Sequence, residues 1–205
     1  MTGIRFLWVA LVAAMVGWSG CAEPQPSTRP PQNEPLKVLN LEPLPEFSFI
    51  NQDSTPITEA TVAGKVHVVD FFFTNCPTIC PRMKANMLTV YEEFVSDDRV
   101  VLLSHAIDTR RDTVPVLKEY SERLEVSAPR WHFVTGEKDA ILGIARDYKL
   151  AANEDSTAPG GFAHSGALIL LDQKRDIRGY YSGVSEEETA EMIGDMKKLL
   201  AEDGE

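Results

Sequence analysis

At 205 residues, 43% hydrophobic and 25% charged, the chain has the composition of a globular domain with some sequence to spare. Its 31 acidic residues outnumber 20 basic ones, giving a net charge of −11. That balance argues against nucleic acid or an anionic membrane surface as a partner and suits cations or basic proteins.

The N-terminus reads as a targeting segment. "MTGIRFLWVALVAAMVGWSGC" carries one early Arg, no acid and an apolar run from Phe6 to about Val16. That run is short for a bilayer span and suits a secretory signal. Ser19 and Gly20 precede Cys21, as in a bacterial lipoprotein signal in which the cysteine is lipidated and becomes the first mature residue. The leucine usual three positions earlier is Trp18 here. Residues 1–20 are therefore read as a lipoprotein-type signal peptide, with an uncleaved anchor and a plain signal peptide as alternatives. All three put the domain outside the cytoplasm, and the first two tether it to a membrane.

Residues 22–45 hold seven of the thirteen prolines and few large apolar residues before Leu36. Such a stretch cannot build a core, so residues 21–45 read as an extended tether.

The domain proper is expected over 46–205. "KVHVVDFFF" (65–73) is β-branched, aromatic and almost continuously apolar, which predicts a buried central strand. Met83, Met87, Val90, Tyr91 and Phe94 recur at helical spacing, which predicts a helix over 81–95. "RVVLLSHAID" (99–108) predicts a second buried strand. Asp112 as N-cap and Pro115 in the first turn predict a helix over 112–124. A short strand at 130–136 and an amphipathic helix at 138–150 follow. Residues 151–166 read as a long loop. "ALILLD" and "IRGYYSG" flank a turn as a hairpin, and Ser185 with Glu188 forms a capping box for a last helix over 185–200.

The order is β-α-β-α-β-α-β-β-α. It predicts an α/β class protein of thioredoxin-like fold: a central mixed sheet flanked by helices, with a C-terminal β-hairpin and helix. In open α/β sheets, sites form beyond the C-terminal ends of strands. Cys76 and Cys80 lie just there, after strand 65–73. Asp108 ends the next strand and is placed to orient a nearby group.

The chain has three cysteines. If Cys21 carries lipid, Cys76 and Cys80 remain as a disulfide, a redox pair or a metal site. Each precedes a proline, which disfavours helical geometry, so both are expected outside the helix, with Pro81 as its first residue. A turn feeding a helix N-terminus stabilises thiolate, favouring a nucleophile or a soft-metal ligand. No second pair of ligands follows to close a zinc site. Two thiolates suit Cu(I), and an added imidazole also suits Cu(II).

Four histidines are candidates. His67 and His132 lie in strands and read as structural. His105 stands three residues before Asp108 and is at best an indirect contributor. His164 ends the glycine-rich loop "PGGFAHSG", where a loop-to-strand junction can reach the cysteines. Met83 and Met87 read as core rather than as copper ligands.

These residues resemble the Sco/SenC family. Thr74, Cys76, Pro77, Cys80 and Pro81 match its T-x-C-P-x-x-C-P motif. "AIDTRRDTVP" resembles its S-x-D-P-x-x-D-T-P stretch, with Asp108, Asp112 and Thr113 matching and Thr109 in place of the first proline. "WHFVTGEKD" and "HSGALILLDQKRDIRGYYSG" resemble later segments and put His164 at the family's ligand position, although Ala163 stands where Asp is common. The resemblance covers about residues 45–200. It implies a thioredoxin-like domain binding copper through Cys76, Cys80 and His164. It also implies a role in assembling the binuclear copper centre of cytochrome c oxidase, by copper delivery or by thiol reduction.

Three other readings stay open. The first is a thiol–disulfide oxidoreductase of exported proteins, with Cys76 and Cys80 as its redox pair. The second is a peroxidase related to peroxiredoxins, for which no peroxidatic arginine is assignable. The last is a structural Cys76–Cys80 disulfide, which gains little from so short a loop.

Overall fold

The computed structural model describes residues 35–40 and 42–202, so Cys21 and the segment read as a signal peptide lie outside the described residues. The described chain starts as an extended strap, which belongs to the compact unit from Pro35 onward.

A short hairpin comes first, β1 (Ser48–Asn51) with β2 (Pro56–Thr58), and runs into a one-turn helix α1 (Glu59–Val62). These pieces span too few residues to show a period. The hairpin turn is instead shaped by the Asn51 side chain, whose Oδ1 accepts the N–H groups of Asp53 and Thr55.

The elements expected from periodicity follow: β3 (Val66–Phe72), α2 (Cys80–Phe94), β4 (Val100–Ala106), α3 (Val114–Arg123), β5 (Trp131–Thr135) and α4 (Lys138–Asp147). The loop expected at 151–166 contains a small hairpin, β6 (Ala152–Glu154) with β7 (Phe162–His164). Then come β8 (Ala167–Leu171), β9 (Ile177–Ser182) and α5 (Glu186–Glu202).

Seven strands form one mixed sheet in the order β2-β1-β5-β4-β3-β8-β9. β3 pairs parallel with β4 and β4 with β5, while β8 lies antiparallel on β3 and β9 on β8. Every residue of β3 and β4 is buried, as central strands covered on both faces must be. The two faces alternate along β3. Phe72 meets Tyr120 of α3, whereas Phe71 meets Tyr148 just past α4. Met83 and Met87 are fully buried in the core.

The strap covers an edge that would otherwise be open. Leu39 N–H donates to Ile177 O at 2.8 Å, Ile177 N–H donates to Asn40 Oδ1 at 2.6 Å, and the Arg178 guanidinium donates to Leu36 O. Edge strands left bare invite pairing with other chains.

Local signals were redirected in three places. α2 starts at Cys80, not Pro81, because Met83 N–H already bonds Ile79 O and Ile79 is right-handed helical. Cys76 stays in the turn as expected, but Cys80 belongs to the first helical turn. The N-cap position of α3 is Thr113, whose side chain makes no capping bond, and Asp112 turns elsewhere. Glu188 N–H bonds Ser185 Oγ as a capping box requires, but the Glu188 carboxylate reaches the N–H of Ser182 instead of Ser185.

Two opposite charges meet inside the core. Asp70 in β3 and Lys84 in α2 form an ion pair at 2.6 Å, and Lys84 also donates to Ser104 at 2.8 Å. Ser104 donates to Asp70 and accepts from Trp131 Nε1. Lys84 Nζ sits 4.2 Å from the centre of the Phe72 ring. Asp70 and Ser104 face one another in the β3–β4 register, so one lysine satisfies both strands.

Candidate metal centre

The site is assembled where β3 ends. Phe73 leaves the strand buried, and Cys76 N–H donates to Phe73 O at 3.2 Å, closing the turn that holds Cys76. Cys80 sits at the start of α2. His164 ends β7. Its ring meets Phe73 edge-on with centroids 5.9 Å apart, and Phe73 also packs on Phe162.

The small hairpin that carries His164 needs a glycine in the turn that joins its strands. Gly160 has φ of +83°, and a Cβ there would lie 2.6 Å from Phe73 Cε2. A side chain at this position would therefore be strained in its backbone and would push the hairpin off Phe73. A second close approach pins the other end of the loop. Gly183 N–H donates to Gly166 O at 2.7 Å, and Asn86 of α2 donates to Gly183 O at 2.8 Å. The His164 loop and the helix bearing Cys80 are thus tied through one turn.

Cys80 Sγ and His164 Nε2 stand 3.3 Å apart across 84 residues of sequence. His164 Nδ1 lies 3.0 Å from Ser165 O, which can only accept. Nδ1 therefore carries the proton, and Nε2 turns its lone pair toward the sulfur. Burial holds the His164 pKa below its ordinary value, so the ring is neutral and ready to ligate.

The cysteines are free thiols with opposed environments. Burial pushes the Cys76 thiol up. Hydrogen bonds from the Cys80 thiol, the N–H groups of Thr78 and Cys80 and the Thr78 hydroxyl outweigh it, and the pKa falls below the usual thiol value. Cys80 moves the other way: burial raises its pKa strongly, and the hydrogen bond to Cys76 raises it further.

The donor atoms of Cys76, Cys80 and His164 all lie within 4.8 Å of one another, and among the described residues no fourth His, Cys, Asp or Glu joins them. An ion about 2.2 Å from each donor spans donor pairs up to about 4.4 Å apart. A metal ion fits with a small contraction. Two sulfurs and one imidazole suit a soft cation, and three ligands do not close a structural zinc site.

The other histidines are elsewhere. His67 Nδ1 donates to Lys65 O, and His132 Nδ1 accepts from Asn51. His105 is fully buried, stacks on Phe71 at 4.8 Å, and has no hydrogen-bond partner for either ring nitrogen among the described residues. Burial pushes all three down to about 4. Asp108 is buried just past the end of β4, and its carboxylate binds the Arg111 guanidinium at 2.9 Å rather than any of the three donors.

Sequence reasoning passed over three residues here. Asp112 was read as a helix cap, but its carboxylate accepts from Thr74 in the cysteine loop. Asp70 and Lys84 escaped because their surroundings are apolar. Lys84 nonetheless falls on the stripe of Cys80, Met83, Met87 and Val90, the buried face of α2. A lysine on that stripe and an aspartate inside a buried strand form a visible signal for an internal ion pair.

The profile of the SCO1/SenC family matches residues 40–201. The chain belongs to the SCO1/SenC family. It is 29% identical over 166 residues to the SCO1 protein homolog of Bacillus subtilis strain 168, covering 78% of this chain and 83% of that protein. Its structure resembles a SCO1/SenC family lipoprotein from Bacillus anthracis strain Ames, with a TM-score of 0.71 and 30% identity over 77% of this chain and 95% of that one. It also resembles BsSco, a member of the Sco family of cytochrome c oxidase assembly proteins in which a disulfide switch was identified. There the TM-score is 0.70 and the identity 27%, over 81% of this chain and 98% of that one. The thioredoxin-like α/β fold expected from the element order is the fold of these relatives. No helix among the described residues is long and apolar enough to cross a membrane.

Proposed function

We propose that this protein binds one copper ion through Cys76 Sγ, Cys80 Sγ and His164 Nε2, and serves assembly of the binuclear copper centre of cytochrome c oxidase outside the cytoplasm. The observation that carries the reading is the convergence of these three donors within 4.8 Å at a loop-built edge of the sheet. Copper is cargo here. Thiolates select Cu(I), and the neutral imidazole extends the site to Cu(II). A three-coordinate site leaves room for an incoming thiolate, so ligand exchange with a partner's cysteines passes the ion on. The B. anthracis relative is a lipoprotein, which supports Cys21 as a lipid attachment point and a membrane tether.

The opposed thiol environments favour a second role for the same pair. Cys76 thiolate attacks one sulfur of a partner disulfide and expels the other as thiolate. Cys80 then gives up its proton and attacks Cys76 Sγ, releasing the second partner thiolate. Two electrons pass to the partner and a Cys76–Cys80 disulfide remains.

Titration of the reduced protein with Cu(I) and Cu(II) tests the reading. One ion per chain is expected, lost in Cys76→Ser and spectrally altered in His164→Ala. Unchanged Cu(II) spectra in His164→Ala rule out the three-ligand assignment. Turnover of a disulfide substrate without copper binding selects the oxidoreductase reading.

A further inference from the structure

The cysteine loop is anchored by a residue outside the ligand set. Asp112 is only 1% exposed, in the turn between β4 and α3. Its carboxylate accepts the Thr74 hydroxyl at 2.5 Å and the Thr74 N–H at 3.1 Å, with a longer contact of 3.4 Å from the same N–H. Thr74 is the second residue past β3 and stands two positions before Cys76.

A buried carboxylate is costly unless its hydrogen bonds are made. α3 is not what Asp112 serves, because its N-cap is Thr113. The cost is met by the cysteine loop instead. The three ligands are also held unequally. Cys80 is fixed by α2, and His164 by the tie from Asn86 through Gly183 to Gly166. Cys76 lies in an irregular turn, fastened by its own N–H to Phe73 O and by the Thr74 anchor.

We infer that Asp112 is a positioning residue: through Thr74 it sets where Cys76 stands relative to Cys80 and His164. This rests on the copper reading for its metal arm and is independent of it for its thiol arm. Outer partners that orient ligands typically change metal affinity by about 10- to 100-fold when removed. A loosened Cys76 also meets Cys80 at lower effective concentration, which disfavours their disulfide.

The test compares Asp112→Asn, Thr74→Val and Thr74→Ser in the full chain. Thr74→Val keeps shape and the N–H donor but removes the hydroxyl, and Thr74→Ser restores the hydroxyl. The metal-free readout is the equilibrium of the Cys76–Cys80 dithiol with oxidised glutathione. Thr74→Val is expected to lower that equilibrium constant by about tenfold, close to 30 mV, with Thr74→Ser near wild type. The second readout is the Cu(II) absorption spectrum, expected to shift in Thr74→Val and in Asp112→Asn but not in Thr74→Ser. A Thr74→Val protein with wild-type glutathione equilibrium overturns the proposal, as does a Thr74→Ser protein that behaves like Thr74→Val. If wild type binds no copper, the function proposed above fails, and the glutathione equilibrium still decides this one.

Discussion

Lys84 Nζ lies 2.6 Å from Asp70 Oδ2 on the buried face of α2, one turn after Cys80, with both side chains sealed from solvent. The start of α2, which carries Cys80, is thereby bolted to β3 and, through Ser104, to β4. Removing one partner of a buried pair leaves an uncompensated charge and typically costs about 3–5 kcal/mol. Lys84→Met should therefore be strongly destabilising in urea unfolding, and the double variant Lys84→Met with Asp70→Leu should lose less than the sum of the single variants. Additive losses would show that the two side chains are not coupled.

Acid sensitivity should come from the buried histidines. His67, His105 and His132 titrate near 4 in the folded chain, against about 6.5 unfolded. Between these values the unfolded chain binds protons that the folded chain does not. Stability is therefore fully present above about pH 6.5 and is lost as pH falls toward 4, by up to about 1.4 kcal/mol per pH unit for each histidine. His105 is the cleanest probe because neither ring nitrogen has a hydrogen-bond partner among the described residues and the ring packs among Phe49, Phe71 and Tyr148. His105→Phe should flatten the slope of unfolding free energy between pH 4 and 6.5, and an unchanged slope would contradict this account.

The two thiols should react unequally. Cys76 holds a lowered pKa through hydrogen bonds, while burial keeps Cys80 protonated. Brief treatment of the reduced, metal-free protein with iodoacetamide at neutral pH should label Cys76 first, as read by peptide mass mapping. Preferential labelling of Cys80 would reverse the assignment of nucleophile and resolving thiol.

Gly160→Ala should disturb the site from a distance. The new side chain meets φ of +83° and the Phe73 ring. The backbone alone costs about 1–2 kcal/mol. The hairpin bearing His164 should lift from Phe73, weakening copper binding with little effect on the Cys76–Cys80 disulfide equilibrium. Parallel loss of both properties would mean that the substitution unfolds the domain rather than moving His164.

Much of this architecture was legible before the fold was known. The long elements were, because β3 and β4 are apolar throughout and α2 repeats its apolar residues at helical spacing. The short pieces were not. β1, β2, β6 and β7 have three or four residues each, too few for a period. They exist as partners in local hairpins, β1 with β2 and β6 with β7, and β1 is joined to the main sheet by β5.

By itself, then, the sequence determined the chemistry on offer: two cysteines in a proline-shaped turn after a buried strand, and a histidine at the end of a glycine-rich loop. Those are local facts, set by periodicity, by proline's fixed φ and by the reactivity of each side chain. Tertiary structure decided which groups meet. It turned His164 Nε2 toward Cys80, sent the Asp112 carboxylate from an expected helix cap to Thr74, and enclosed Lys84 with Asp70. Each of these is a contact between residues far apart in the chain. Strand register and buried packing set such contacts; a local pattern can mark a residue such as Lys84 as buried, but it does not name the partner.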